Sequence, residues 1–472
     1  MIKASVLIVL LVTNVVAGFT QSSSNLRADG TIMLKAQPFF PFGMYSTPWT
    51  SGNSDRMKCL RTMIDAGLNV AFIEDNGNGD IIPLLDTADF YNFHFLIGTP
   101  HSPNIIGTAN YYKDRKSVFA WSLSDDGDNG TSTVEELLGR NSSVKSADPN
   151  HLTYLTITGF NLSRRNSADL YTPITDVPAY QIYPVGQHRN ADYITSNALT
   201  ETYNRTLLYV TSSKKANRPL IMNCQTFSWG SQSDNPRYPD VLELRNMIYS
   251  GLAAGIKGII SYDFSFDLVN NHPDLWDEFK KIRNDVRAMD SVYLDGKITR
   301  VYTGDPEVAV SYWEYKNNCY VVVVNTSYTY TKNVSISIPA SYGSPITSLF
   351  PRMFDTLSLS GRNLAGSVPA KEVVVYKLRG NLTAIKPLVT NASEVDIYPN
   401  PVCDGTFNIS IKDLLNGDLI TVIIFDTYGN LVYDNKKYIN KEIIYCNNLK
   451  RGFYILKVNR TDKNYLKKMI IY

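Results

Sequence analysis

Cysteine is scarce and unpatterned in this sequence. Five residues in 472 (Cys59, Cys224, Cys319, Cys403 and Cys446) form no CxxC pair and have no histidine at ligand spacing. That argues against a zinc site, and the odd count argues against a fully paired disulfide framework, although Cys403 and Cys446 are spaced to pair within one small domain. Net charge is nearly absent too: 46 basic against 44 acidic residues leave +2, with no electrostatic footprint for nucleic acid or an anionic membrane. Long apolar runs are missing except at the start, "MIKASVLIVLLVTNVVAGFTQ", where Lys3, the apolar stretch from Val6 to Val16 and the small Ala17 and Gly18 read as a secretory signal peptide over residues 1–20. No later run approaches the roughly 20 residues of a spanning helix, so no transmembrane segment is expected after signal cleavage. No Gly-rich phosphate loop follows the first strand, which disfavours a doubly wound nucleotide-binding sheet, and no motif implies a metal or an organic cofactor.

What is present is a core-forming composition, 44% hydrophobic, in a chain long enough for two or three domains. From about residue 38 to 290, strand-length apolar runs alternate with helical periods, the pattern of βα units around a parallel sheet. Eight strands are expected, at 39–46, 69–75, 93–99, 118–124, 152–158, 177–183, 219–227 and 258–264, with helices at 55–67, 81–91, 195–215, 240–256 and 273–290. In the last helix Leu275, Phe279, Ile282 and Val286 make one apolar stripe. Eight pairs in about 250 residues predict a (β/α)8 barrel over residues 21–296. The helix between the third and fourth strands has little room and is expected to be short. The texture then changes to "VAVSYWEY", "CYVVVVNT", "NVSISIP" and "KEVVVYKL", antiparallel strands of a small β-sandwich over residues 297–380. A linker, 381–393, leads to a second all-β module at 394–472.

That last module contains "VDIYPNPVCDGTFNISI", the turn Asp426 to Gly429, "LKRGFYILKV" and a terminal "LKKMIIY". In this order the motifs resemble the C-terminal type A sorting domain of the type IX secretion system, an Ig-like β-sandwich. The resemblance implies a Bacteroidetes-type protein that meets the type IX machinery and ends secreted or on the outer-membrane surface. The barrel is similar, through "ADGTIMLKAQPFFPFGMYS" and "FAWSLSDDGDN", to bacterial glycoside hydrolases, whose fourth strand ends in a "gWyl-x-DEP" segment. This second resemblance implies a polysaccharide or oligosaccharide as partner.

The stretch "VFAWSLSDDGDNGT" places Asp125, Asp126 and Asp128 just after a buried strand, at the barrel end where active sites are built. Glycosidic cleavage uses a protonated carboxyl and usually a second carboxylate, and adjacent acids raise one another's pKa. By analogy with barrels carrying Asp-Glu at this point, Asp126 is the candidate general acid and Asp125 its orienting partner. Asp126 stands where that pattern has Glu, and Gly127 where it has Pro. At the end of strand seven, where many retaining barrels carry a nucleophilic Glu, the chain has Gln225, which cannot serve. The chemistry is then substrate-assisted, inverting with another base, or absent. The competing reading of "SDDGDNG" is a solvated loop leading to the helix N-cap of "STVEELL".

Other strand ends supply Asp263, the favoured second catalytic carboxylate, and Glu74, with Asp75 and Asp176 as further acids or structural caps. Tyr183 and Gln225 offer hydrogen bonds to sugar hydroxyls, Tyr45, Trp49 and Trp229 offer stacking faces, and Glu74 and His101, the latter in the loop after strand three, are further candidate substrate contacts. Phe227 reads as packing. The leading expectation is hydrolysis of a glycosidic bond outside the cell; the alternatives are a noncatalytic carbohydrate-binding barrel or a surface adhesin.

Overall fold

The computed structural model describes residues 23–46, 53–75, 80–99, 104–158, 167–189, 197–380, 395–411, 419–427, 430–439, 443–459 and 464–472. The signal segment, the 381–393 linker, Trp49 and His101 lie outside the described residues. The chain divides into two units, residues 1–380 and 381–472.

In the first unit, eight parallel strands close into a barrel in sequence order: β1 (Phe42–Ser46), β2 (Val70–Glu74), β3 (His94–Gly98), β4 (Val118–Ser122), β5 (Leu152–Thr158), β6 (Val177–Ile182), β7 (Ile221–Cys224) and β8 (Gly258–Phe264). Closure is made by β8 against β1, with Ile259 opposite Phe42. Every residue of β3 to β6 is buried, because a barrel strand faces packed side chains inside and helices outside. Helices cover the outside in turn: α1 (Asn53–Asp65), α2 (Ile82–Tyr91), α3 (Ile105–Tyr112), α4 (Val134–Ala147), α5 (Ser167–Tyr171), α6 (Ala198–Lys215), α7 (Val241–Ala254), α8 (Phe266–Asn271) and α9 (Pro273–Asp295). The expected short helix between β3 and β4 is α3, of eight residues. All four residues of the expected α9 stripe are buried, and the stripe runs on through Met289 and Val292.

The two ends of the barrel are treated differently. At the N-terminal end a small antiparallel sheet, Ser24–Leu26 with Ile32–Leu34 and Gln37–Pro38, acts as a plug. Ile32 and Leu34 share a core with Val70, Leu96, Phe119 and Ile221, and Leu152 N donates to Ser24 Oγ at 2.9 Å. The C-terminal end carries the clefts.

Residues 297–380 form a five-stranded and a three-stranded antiparallel sheet. Trp313, Val322, Val324 and Val375 of the larger sheet join the same hydrophobic core as Leu244, Ile248 and Phe279 of α7 and α9. A buried ionic network seals this seam: Arg245 pairs with Glu278 at 2.8 Å and Glu372 at 3.2 Å, while Arg352 pairs with Glu278 at 2.6 Å and with Asp285.

The second unit has a three-stranded and a four-stranded antiparallel sheet around Phe407, Ile409, Val422, Ile424, Leu456 and Met469. Asp426 accepts Asn430 N at 2.9 Å, and Tyr454 donates to Lys450 O at 2.6 Å. Cys403 is exposed, Cys446 is buried, and both are free thiols; the pairing that their spacing allowed is not made. No helix among the described residues is long and apolar enough to cross a membrane.

Candidate active site

The three aspartates after β4 have two different fates. Leu123 N still donates to Tyr154 O, so the chain leaves the barrel alongside β5. It then turns sharply, with Asp126 at φ 47°. A short polar side chain tolerates this left-handed geometry better than most, and three bonds hold it: Asp126 N to Thr156 Oγ1 at 2.9 Å, Gly127 N to Thr156 O at 2.8 Å, and Asn129 N to Asp126 O at 2.9 Å. At Gly127 a Cβ would stand 2.6 Å from Leu155 Cδ1, so a side chain there must push that leucine aside, and the proline of the related pattern would also lose the Gly127 N–H bond to Thr156 O. Asp128 turns away and is buried, its Oδ1 accepting both Thr158 N and Thr158 Oγ1 at 2.8 Å. It staples the loop to β5. The helix cap is made separately, by Thr133 with Glu136 in a capping box at the start of α4.

Asp125 and Asp126 face the cleft and share a donor. Gln181 Nε2, at the end of β6, donates to Asp126 Oδ1 at 2.5 Å and lies 3.4 Å from Asp125 Oδ1; Thr156 Oγ1 donates to Asp125 Oδ1 at 2.7 Å. Asp125 is open to the cleft but ringed by protein. That desolvation raises its carboxyl above the usual range, against the hydrogen bonds from Thr156 and the Asp126 backbone, which lower it.

The cleft itself is a cavity of about 540 Å³ spanning the ends of β4, β6, β7 and β8. Asp263 lines it with Asp125 and Asp126. Its walls are aromatic: Tyr183, Phe227, Trp229, Tyr238 and Tyr262. Trp229 packs edge-on to Phe227 and Tyr183 with centroids at 4.9 and 5.9 Å, and its Nε1 donates to Tyr183 O. Burial first, then the Asp263, Asp125 and Asp126 carboxylates, push the Tyr262 hydroxyl up to about 12. Tyr262 thus feels all three acids and stays a neutral hydrogen-bonding group.

Among the sequence-predicted residues, Asp125, Asp126, Asp263, Tyr183 and Trp229 meet in this one cleft. Gln225 does not. It is fully buried, and its amide is spent on backbone, accepting Val185 N at 2.8 Å and donating to Val185 O and Phe227 O. Its role is to fix the loop after β6. Tyr45 is not a stacking face either, since its ring lies inside the barrel, 4.5 Å from Phe72, with its hydroxyl 3.3 Å from that of Tyr154. Glu74 lines a second cavity rather than the aromatic one. Asp75 is buried under the hydroxyls of Thr108 and Tyr112, and Asp176 binds Lys145 and Thr153 N; both are structural. Phe227, expected only to pack, also lines the cleft. Gln181, Tyr238 and Tyr262 were not anticipated. Gln181 had a signal, because it sits two residues before Tyr183 and a strand returns to the same face every second residue; Tyr238 lies in a loop with no such marker.

Residues 396–472 match the family of secretion system C-terminal sorting domains. This segment directs the protein through the type IX secretion system to the cell surface or the extracellular space. No curated protein matches the chain. Among solved structures, a glycoside hydrolase family 5 protein from Bacteroides vulgatus is similar at 15% identity and TM-score 0.54, over 76% of this chain and 93% of that one. An alpha-amylase from Geobacillus thermoleovorans, solved with acarbose, is similar at 12% identity and TM-score 0.51, over 72% and 96%. What these glycoside hydrolases share with this chain is the fold, the eight-stranded parallel barrel.

Proposed function

We propose that this chain is an exported protein that cleaves glycosidic bonds of an extracellular carbohydrate in the cleft formed by Asp125, Asp126 and Asp263. In this reading residues 1–20 are the signal peptide of a Bacteroidetes-type exported protein, 21–296 the catalytic barrel, 297–380 its brace, and 394–472 the sorting domain. The observation that carries it is the convergence of four carboxyls, Asp125, Asp126, Asp263 and Asp267, and five aromatic rings on one cavity at the barrel's C-terminal end. Aromatic faces bind the C–H faces of sugars, while carboxyls hold hydroxyls and move protons. Within the pair, Asp125 is taken as the proton donor, since desolvation raises its carboxyl and it borders both cavities at this end of the barrel; the analogy with related barrels places that role on Asp126 instead. Asp126, held by Gln181, is then the partner that orients or activates the attacking group, and Asp263 the alternative base. No metal or organic cofactor enters this scheme.

A noncatalytic glycan-binding barrel is the second reading. It is favoured by Gln225, an amide locked to backbone where a retaining nucleophile would stand. The two separate on product release from polysaccharides and aryl glycosides by wild type, Asp125→Asn and Asp126→Asn. Hydrolysis lost by at least about 100-fold in Asp125→Asn supports catalysis; a wild type that binds glycans and releases nothing supports the binding barrel.

A further inference from the structure

A second cavity, of about 450 Å³, opens at the same end of the barrel over β2, β3 and β4, and Asp125 belongs to the walls of both. Asp125 therefore stands at a junction, with the aromatic cleft on the β6–β8 side and this second cavity on the β2–β4 side. The two differ in chemistry. Apart from Phe72 the second is lined by hydroxyl and charged side chains, among them Glu74, Ser124, Thr131, Ser132 and Arg140. Arg140 spends one N–H on Leu123 O at 2.5 Å, and a guanidinium carries five N–H donors in a fixed fork, so donors remain for a ligand beside the Glu74 acceptor. The mixture of cation, anion and hydroxyls matches neutral polyhydroxylated groups better than an anionic one. Each cavity lies within the size range of a ligand site.

We propose that the two cavities are the two arms of a single through-running groove, so that the chain takes an internal stretch of a neutral glycan, with sugar units on both sides of Asp125. This rests on the carbohydrate reading and extends it: the substrate is a chain of several units, bound on rings in one arm and on hydrogen bonds in the other, and the products are oligosaccharides. Units in the second arm contribute binding energy that a short ligand confined to the aromatic arm does not collect.

The test uses the mature protein with end-labelled β-1,4-linked gluco-, xylo- and manno-oligosaccharides and α-1,4-linked gluco-oligosaccharides of increasing length, scored for binding and for the position of cleavage. The expected result is that affinity, or kcat/KM, rises about tenfold or more from dimer to hexamer in at least one series, with internal rather than terminal cleavage wherever cleavage occurs. Arg140→Ala, and Ser132→Trp, which fills the second arm from a loop, should each collapse that length dependence toward about one. Dimers bound as well as hexamers, or monosaccharide as the sole product, would overturn the groove while leaving a carbohydrate site. If no series is bound or cut, the carbohydrate reading falls and the groove falls with it.

Discussion

Individual side chains in this barrel set its response to pH in opposite directions. Asp125 is held above the usual carboxylate range by desolvation, so its ionised form is disfavoured in the folded state, and the folded protein loses stability as pH rises past the unfolded carboxyl value. Asp125→Asn should therefore raise Tm slightly at neutral pH while abolishing cleavage, a trade-off checked by thermal melts beside activity assays. Thr156 pulls the same carboxyl down, so Thr156→Val should move the alkaline limb of the kcat/KM profile upward. His94 behaves the other way. Burial lowers its ring pKa to about 3, so the unfolded chain takes up a proton that the folded chain refuses. Its stabilising contribution is complete above the ordinary histidine value of about 6.5 and is lost as pH falls from there toward 3. In His94→Gln, the loss of Tm between pH 6.5 and 4 should be shallower than in wild type; an unchanged slope would assign acid sensitivity to other groups.

The seam between the barrel helices and the first sandwich is where packing of whole elements decides stability. Arg245, Arg352, Glu278, Asp285 and Glu372 are mutually paired there, with Glu278 4% exposed, and Asn246 Nδ2 donates to Asn325 O at 2.7 Å. Removing one member of a buried ion network strands the others, so Glu278→Gln should cost about 3 kcal/mol in denaturant unfolding. The exposed pair Arg27–Asp29, by contrast, should contribute at most about 1 kcal/mol. Because the larger sheet shares one hydrophobic core with α7 and α9, the sandwich acts as a brace that keeps β7 and β8, and the cleft residues following them, in place. The element types were readable in advance: strand runs and the α9 stripe follow from periodicity. That the sandwich sheet would be buried on the barrel was not, since an alternating strand marks an inward face without naming what covers it.

The chain's two units should also part company experimentally. A protein ending at Gly380 is expected to keep glycan binding and unfold at the same denaturant midpoint as the full barrel unit, yet to fail in export, because the sorting segment 396–472 is gone. Truncation at residue 296 should instead unfold the barrel, since it uncovers α7 and α9. Local sequence was enough for the architecture: hydrophobic period, turn residues and the ordered motifs of the last module are short-range signals, and they specify eight βα pairs, two β modules and a route out of the cell. It was also enough to place Asp125 and Asp126 at the right end of the barrel, because the end of a strand is a position along the chain. The membership of the cleft was decided only by tertiary packing. Gln225 and Tyr45 sit at strand ends as plausible as those of Tyr183 and Asp263, but backbone donors claimed one and the barrel interior claimed the other. Closure of the barrel brought Gln181, Tyr238 and Tyr262 to the carboxyls from segments up to about 140 residues away in sequence, a convergence that no local pattern encodes.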